Sequence, residues 1–119
     1  MAFSLSEPCG AYNITTTPIG FGAGLLPCEG QTLQVYKSFT QCLPTITIQA
    51  FGGAGTPNCP YTLIVEQEKK KHTFVIDPRE NFIATFDCVK EIKAQCANNP
   101  ESFCNVNVQM YISGCLKCC

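Results

Sequence analysis

The sequence predicts an all-β protein: a two-sheet sandwich of the jelly-roll type, with about eight strands and an extended N-terminal arm. Apolar and polar residues alternate with a period of two in several segments, as they do in strands that bury one face. Turn-forming residues separate these segments at fairly even intervals. Because many short, evenly spaced strands and no convincing helical period favour two packed sheets, we expect a sandwich and not a meander.

The most regular alternation occurs in Thr45–Phe51 and in Cys104–Ile112. The charged stretch Gln67–Lys71 joins two further segments as the solvated tip of a hairpin. The other predicted strands are Tyr12–Thr17, Thr32–Phe39, Tyr61–Glu66, His72–Asp77, Asn81–Asp87 and Val89–Cys96. The predicted breaks lie at Gly20–Gly24, Pro27–Gly30, Gly52–Pro57, Asp77-Pro78 and Asn98–Pro100.

A chain of 119 residues is expected to form one domain with a single core. We divide it into an N-terminal connector arm (residues 1–11), a sandwich domain (12–114) and a cysteine-rich tail (115–119). In the arm, Phe3 and Leu5 alternate with serines, and Pro8 would interrupt a sheet. Ten extended residues reach about 35 Å, enough to enter a neighbouring molecule. Phe3 and Leu5 are therefore the candidates for docking the arm.

Cysteine is the most informative residue type, because ten cysteines in a chain of this length are typical of a disulfide scaffold. Cys88, Cys96 and Cys104 are in phase with core-facing residues and are candidates for structural disulfides. Cys96 and Cys104 flank one loop and are well placed to face each other. The alternative for these three is a buried, inert thiol that packs as a small apolar side chain.

The cysteines near the chain ends, Cys9, Cys115, Cys118 and Cys119, are candidates for disulfides between molecules. Adjacent Cys118 and Cys119 have Cα atoms about 3.8 Å apart, below the usual separation in a disulfide, so each needs a different partner. Cys115-x-x-Cys118 resembles half a zinc site, but the chain has no second C-x-x-C. We expect no bound metal, and a metal-binding or redox domain stays an alternative.

Composition and motifs argue against several classes of function. Charged residues make up only 14% of the chain and the net charge is −1, so much of the surface is expected to contact protein. The basic run Lys69–Lys71 is flanked by glutamates, which disfavours nucleic acid as a partner. His72 is expected at the surface of this hairpin, and no carboxylate pair or phosphate-binding glycine motif is present. We expect no enzyme, catalytic residue, cofactor or small-molecule substrate.

The lack of a recognisable secretion signal conflicts with the high cysteine content. The N-terminus lacks the basic and apolar regions of a secretion signal, and no apolar run approaches the ~20 residues of a membrane span, so membrane insertion is not expected. Disulfides nevertheless persist mainly in oxidising places. Three explanations remain open: a mature fragment, thiols that bind metal, or oxidation after synthesis inside a cell.

The closing half of the chain has a distinctive order. A solvated hairpin is followed by Thr73–Pro78, then by Val89–Cys96 and then by Cys104-x-Val106-x-Val108. With this order and its N-terminal arm, the chain resembles the endospore-appendage pilins of bacilli. The resemblance implies jelly-roll subunits that augment each other's sheets in a spore-surface fibre, with cysteines of an N-terminal connector that lock the fibre covalently. By position, Cys9 matches the connector thiol, and Cys96 and Cys104 match cysteines of the last strands.

The chain departs from the family in having one cysteine in the connector and three in the tail, which leaves open which end forms the cross-link. We predict a structural subunit that polymerises with itself by strand augmentation and is locked by intermolecular disulfides. It would be made without a classical signal peptide and would lie on the spore surface or in an extracellular appendage. The alternative is a secreted, disulfide-rich β-sandwich module that binds carbohydrate or protein.

Overall fold

The computed structural model describes residues 17–22, 25–38, 43–53 and 58–113. All regular secondary structure in these ranges is strand, which confirms the predicted all-β class. The eleven strands are β1 (Thr17–Gly22), β2 (Leu26–Glu29), β3 (Thr32–Lys37), β4 (Thr45–Phe51), β5 (Asn58–Cys59), β6 (Tyr61–Gln67), β7 (Lys71–Ile76), β8 (Asn81–Phe86), β9 (Val89–Cys96), β10 (Asn98–Cys104) and β11 (Asn107–Ser113).

The strands form two four-stranded sheets and one small sheet. The first sheet has the order β1-β11-β4-β8, the second β3-β9-β6-β7, and the small sheet β2-β10-β5. If β2 with β3, β5 with β6 and β9 with β10 are each counted as one interrupted strand, eight strands result. The first then pairs with the last, the second with the seventh, the third with the sixth and the fourth with the fifth. This is the pairing of a jelly roll.

The three interruptions explain why the structure has eleven strands and not about eight. Gly30 has a left-handed backbone with φ of 73°, and Pro60 has no N–H to give to a ladder. The backbone N–H of Gly30 donates to the carbonyl of Ala97 at 3.2 Å, and the N–H of Ala97 donates to the carbonyl of Pro60 at 3.2 Å. The breaks therefore lie side by side. Beyond them, β2 and β10 continue the antiparallel pairing of β3 and β9, whereas β5 pairs with β10 in parallel.

Several predicted breaks were wrong. Gly20–Gly22 lies inside β1, and Pro27 lies in β2, which is an edge strand of the small sheet. Pro100 lies in β10, where the register with β2 shifts between Asn98 and Phe103. Edges and irregular registers are the positions where a sheet tolerates proline, because no ladder hydrogen bond is lost there.

Other predicted strand bounds also needed correction. The predicted strand Cys104–Ile112 is divided, because β10 ends at Cys104 and β11 begins at Asn107. Most of the predicted segment Tyr12–Thr17 lies outside the described residues, as do the arm (1–11) and the tail (115–119).

The core lies between the two large sheets and continues into the small one. Alternate residues of β4, β6 and β9 are buried, as the period of two predicts. Every buried side chain among the described residues is apolar or cysteine, apart from the hydroxyl-bearing Tyr61. The largest fully buried residues are Ile46, Ile48, Tyr61, Leu63, Val65, Ile76, Val89, Ile92, Val106, Val108 and Met110.

Tyr61 connects the two large sheets by its hydroxyl group. The O–H lies 2.7 Å from the carbonyl oxygen of Phe51 in β4 and 3.3 Å from that of Asn107 in β11, with the hydroxyl as donor. Only 1% of the residue is exposed. Burial raises the pKa of Tyr61 to about 12, against the smaller opposing effect of its hydrogen bonds to Asn107 and Phe51.

Candidate assembly surfaces

Two disulfides hold the small sheet. Cys28 of β2 is bonded to Cys59 of β5, and Cys96 at the end of β9 is bonded to Cys104 at the end of β10. All four cysteines are at most 4% exposed and belong to the hydrophobic core. Cys104 is also the register partner of Cys59 across the β10–β5 pair. The four cysteines therefore fix the strands at one end of the sandwich.

The structure brings together two of the three structural candidates, since Cys96 and Cys104 share one bond. Cys88 lies between β8 and β9, far from that bond in the fold, and is itself disulfide-bonded. None of the five described cysteines is a free thiol. The sequence did not predict the disulfide Cys28–Cys59, because the two residues are 31 positions apart and meet only through the jelly-roll topology.

The candidates at the chain ends lie outside the described residues. These are the predicted intermolecular cysteines Cys9, Cys115, Cys118 and Cys119 and the predicted docking residues Phe3 and Leu5. Their roles stay predictions.

The described sheets have free edges. The edges of the first sheet are β1 and β8, and those of the second sheet are β3 and β7. On β8, Ile83 is 62% exposed, and on β7, Val75 is 58% exposed. Such edges present unpaired backbone groups to which another strand can add.

The register identifies which backbone groups of β8 do not pair with β4. The N–H of Gly52 donates to the carbonyl of Glu80, one position beyond the register pair Phe51–Asn81. Hydrogen-bonded and non-bonded pairs alternate along an antiparallel ladder. The N–H and C=O groups of Asn81, Ile83 and Thr85 therefore point away from β4, towards the open edge.

The sequence predicted His72 at the surface of the hairpin, but the residue is not fully exposed. Its ring is half-buried between the edges of β7 and β8, with ring centroids 5.5 Å from Phe86 and 6.2 Å from Phe74. Its Nε2 atom lies 2.8 Å from Oε1 of Gln67. The alternation of β7 points His72 inwards, and this was the available signal.

The described part of the chain holds no group of three or more histidine, cysteine or acidic side chains arranged to bind a metal ion. Asp77 and Asp87 lie at opposite ends of β8, which separates them by the length of a strand. Within the described ranges we also find no helix with the length and apolar character that crossing a membrane requires.

Comparison with known proteins agrees with this architecture. A solved structure described as "Bacillus endospore appendages form a novel family of disulfide-linked pili" superimposes with a TM-score of 0.61 over 98% of this chain and 97% of that chain, at 10% identity. The likeness shows a shared fold. No curated protein sequence matches the chain. A family model for endospore appendages matches residues 25–116, which include every described strand after β1, and the chain therefore belongs to the endospore-appendage family.

Proposed function

We propose that the chain is a structural subunit of a spore-surface or extracellular fibre, in which copies add to one another by strand augmentation and are locked by disulfides between molecules. The membership of the endospore-appendage family is the observation that carries this proposal. The fold supports it, because a fibre needs surfaces on which one copy can extend another.

Among the edge strands, β8 is best suited to pair with a strand of another copy. Its sequence, Asn-Phe-Ile-Ala-Thr-Phe, contains no charge and no proline, which are the usual protections of an edge. The neighbouring edge strand is β7. The lysines of the hairpin, including Lys71 within β7, protect this edge from pairing with another strand. We therefore assign β8 and not β7 to the contact between copies.

The second partner of the contact is β3. Pairing of β8 with a second β8 would close a dimer, whereas a fibre needs two different surfaces that meet head to tail. In the first sheet, β1 contains Pro18, which has no N–H to donate to a new ladder. In β3, Thr32 and Gln34 are exposed and uncharged. Its one lysine, Lys37, is the last residue of the strand, whereas three consecutive lysines lie at the start of β7, so the β3 edge can accept β8 of the next copy.

The covalent lock is assigned to Cys9, Cys115, Cys118 and Cys119. The described cysteines Cys28, Cys59, Cys96 and Cys104 are bonded to one another and buried, so they are not available for a bond to another chain. The position of Cys9 in the arm and the adjacent pair in the tail suit bonds between molecules. An interchain bond makes dissociation depend on reduction.

Single proline substitutions in the edge strands β8 and β7 test strand augmentation. Ile83→Pro removes an N–H that points to the open edge of β8 and leaves the ladder with β4 intact. Val75→Pro is the matched control, because the N–H of Gln67 donates to the carbonyl of Lys70 and the same alternation turns Val75 to the open edge of β7. Both residues are similarly exposed.

We expect negative-stain microscopy to show fibres for the wild type and for Val75→Pro, and at least a tenfold loss of fibres for Ile83→Pro. Circular dichroism of each variant checks that the sandwich is folded. Undiminished fibres of a folded Ile83→Pro variant would rule out β8 as the augmenting edge.

Non-reducing electrophoresis with a peptide map of the linked chains tests the covalent lock. We expect a ladder of oligomers that collapses to a monomer on reduction, with cross-links at Cys9 and at the tail. A soluble monomer whose ten cysteines are all bonded within the chain would reject the fibre and favour the secreted binding module.

A further inference from the structure

The strand registers define two ends of the sandwich. In the second sheet, Gln67 pairs with Val89 at one end, and Tyr61 pairs with Cys96 at the other. The first sheet is aligned with it, since the N–H of Val89 donates to the carbonyl of Pro44 at 3.0 Å, just before β4. At the opposite end, the Tyr61 hydroxyl reaches the end of β4 at Phe51.

The first of these ends, which we call the basic end, consists of the hairpin 67–71 and the turn 87–90. Four lysines and two carboxylates give it a net charge of +2. These residues are Lys69, Lys70, Lys71, Lys90, Glu68 and Asp87, all of which are exposed.

The opposite end, which we call the acidic end, consists of the small sheet and the turn between β7 and β8. Four carboxylates and one arginine give it a net charge of −3. These residues are Glu29, Asp77, Glu80, Glu101 and Arg79, all of which are exposed. Three further charged residues lie beside the basic end, because Glu66 is the register partner of Lys71, and Lys37 pairs with Glu91. With these three included, the net charge of the basic end is +1. Lys93 lies further along β9.

The acidic end also exposes apolar surface. Phe103 of β10 is 44% exposed and lies opposite the exposed Pro27 of β2. Leu25, directly before β2, is 61% exposed. A lysine side chain suits a surface that is both apolar and acidic, because its aliphatic stem covers apolar atoms while its ammonium group meets a carboxylate.

We propose that copies of this chain bind end to end, with the basic end of one copy on the acidic end of the next. The partner is a second copy because the complementary surfaces lie at opposite ends of one molecule, so that the contact repeats without closing. The proposal deepens the proposed function, on which it rests, by adding a contact along the strands to the contact between sheet edges. The end-to-end contact depends on charge, whereas strand augmentation does not.

A charge-swap experiment separates the two contacts. Lys69→Glu with Lys70→Glu makes the basic end acidic, and Glu29→Lys with Glu101→Lys makes the acidic end basic. Both double variants leave β3 and β8 unchanged. They are made in a chain whose Cys9, Cys115, Cys118 and Cys119 are serine, so that covalent linkage plays no part, and circular dichroism checks their folding.

Sedimentation velocity at about 20 mM salt measures association. Because each exposed ion pair contributes a few tenths to about 1 kcal/mol, we expect each variant alone to associate about tenfold more weakly than its parent. An equimolar mixture of the two variants should regain association, since every acidic end then meets a basic one. About 0.5 M salt should weaken the parent and the mixture alike.

Variants that each associate as tightly as the parent, or a mixture that stays as monomeric as its components, would overturn the end-to-end contact. So would a parent that stays monomeric at low salt. Fibres that form from both swapped variants but not from Ile83→Pro would retain the proposed function and reject this contact. End-to-end association without any fibre would retain this contact and reject the proposed function.

Discussion

At the scale of single residues, Tyr61 gives the sharpest prediction. Tyr61→Phe removes the hydroxyl group that donates to the carbonyl oxygens of Phe51 and Asn107. Both oxygens then lose this hydrogen bond in the protein interior. We expect the free energy of unfolding to fall by about 1–3 kcal/mol, as for other buried groups that lose a hydrogen bond. Urea denaturation of the oxidised chain measures it. Tyr36→Phe, at a half-buried position in β3, is the control and should cost less than about 0.5 kcal/mol.

The same residue makes stability depend on alkaline pH. The pKa of Tyr61 is about 12 in the folded chain and near 10 in the unfolded chain, so between these values the folded state holds a proton that the unfolded state has lost. The stabilisation is complete below pH 10 and is lost as the pH rises to 12, by about 2–3 kcal/mol in total. Brief urea titrations at pH 9 and pH 11.5 should therefore show a larger loss for the wild type than for Tyr61→Phe. Equal losses would mean that the folded-state pKa of Tyr61 is not raised.

Gly52 provides a second test at this scale. A Cβ atom at Gly52 would overlap the backbone carbonyl of Asp77, whereas one at Gly20 would have no heavy atom within 4 Å. Because the overlap is with backbone, the turn between β7 and β8 must move, and we expect Gly52→Ala to cost about 1–3 kcal/mol or more. Gly20→Ala should change stability by less than about 1 kcal/mol. Thermal unfolding of the two variants compares them directly.

At the scale of elements, alternation predicted β4, β9 and most of β11, because a period of two needs only local sequence. It could not predict that Pro27 and Pro100 lie in strands, since that depends on an edge and a shifted register that the rest of the fold creates. Phase also placed Cys96 and Cys104 on the core face of neighbouring strands. The bond between Cys28 and Cys59 needs the topology and was beyond reach.

The two disulfides of the small sheet should differ in what they contribute. Cys28 and Cys59 are 31 positions apart, whereas Cys96 and Cys104 are 8 apart. In the chain-entropy description the longer loop restricts the unfolded chain more, by about 3.7 against about 2.5 kcal/mol. Replacing both cysteines of each pair by alanine should therefore destabilise more at Cys28–Cys59, measured as the free energy of unfolding in urea. The reverse order would assign the difference to packing in the native state.

At the scale of the whole molecule, the sequence predicted a low-charge subunit with cysteines at both ends, and it could not predict the separation of charge. Lys90 joins Lys69–Lys71 only because β9 begins beside the hairpin, and Glu29 joins Glu101 only because β2 pairs with β10. These are long-range pairings. The charge at each end therefore depends on the fold and cannot be predicted from any one segment of the sequence.

Together with the interchain disulfides that we propose, the fold predicts two classes of disulfide with different resistance to reduction. The bonds Cys28–Cys59 and Cys96–Cys104 are at most 4% exposed, so a reductant reaches them only when the sandwich opens. A bond between two chains must lie at the surface of each, and thiol–disulfide exchange depends on access. Rising reductant without denaturant should therefore first separate fibres into folded subunits.

Alkylation with iodoacetamide at each step, followed by mass spectrometry, identifies which cysteines have become free. We expect labels at Cys9, Cys115, Cys118 and Cys119 while Cys96 and Cys104 stay unlabelled and the far-ultraviolet circular dichroism of the strands is retained. Urea added with the reductant is the control, because it should expose the buried pairs and label all ten cysteines together. Simultaneous labelling of both classes in the native fibre would show that the intersubunit bonds are as protected as the core, and that the fibre comes apart only by unfolding.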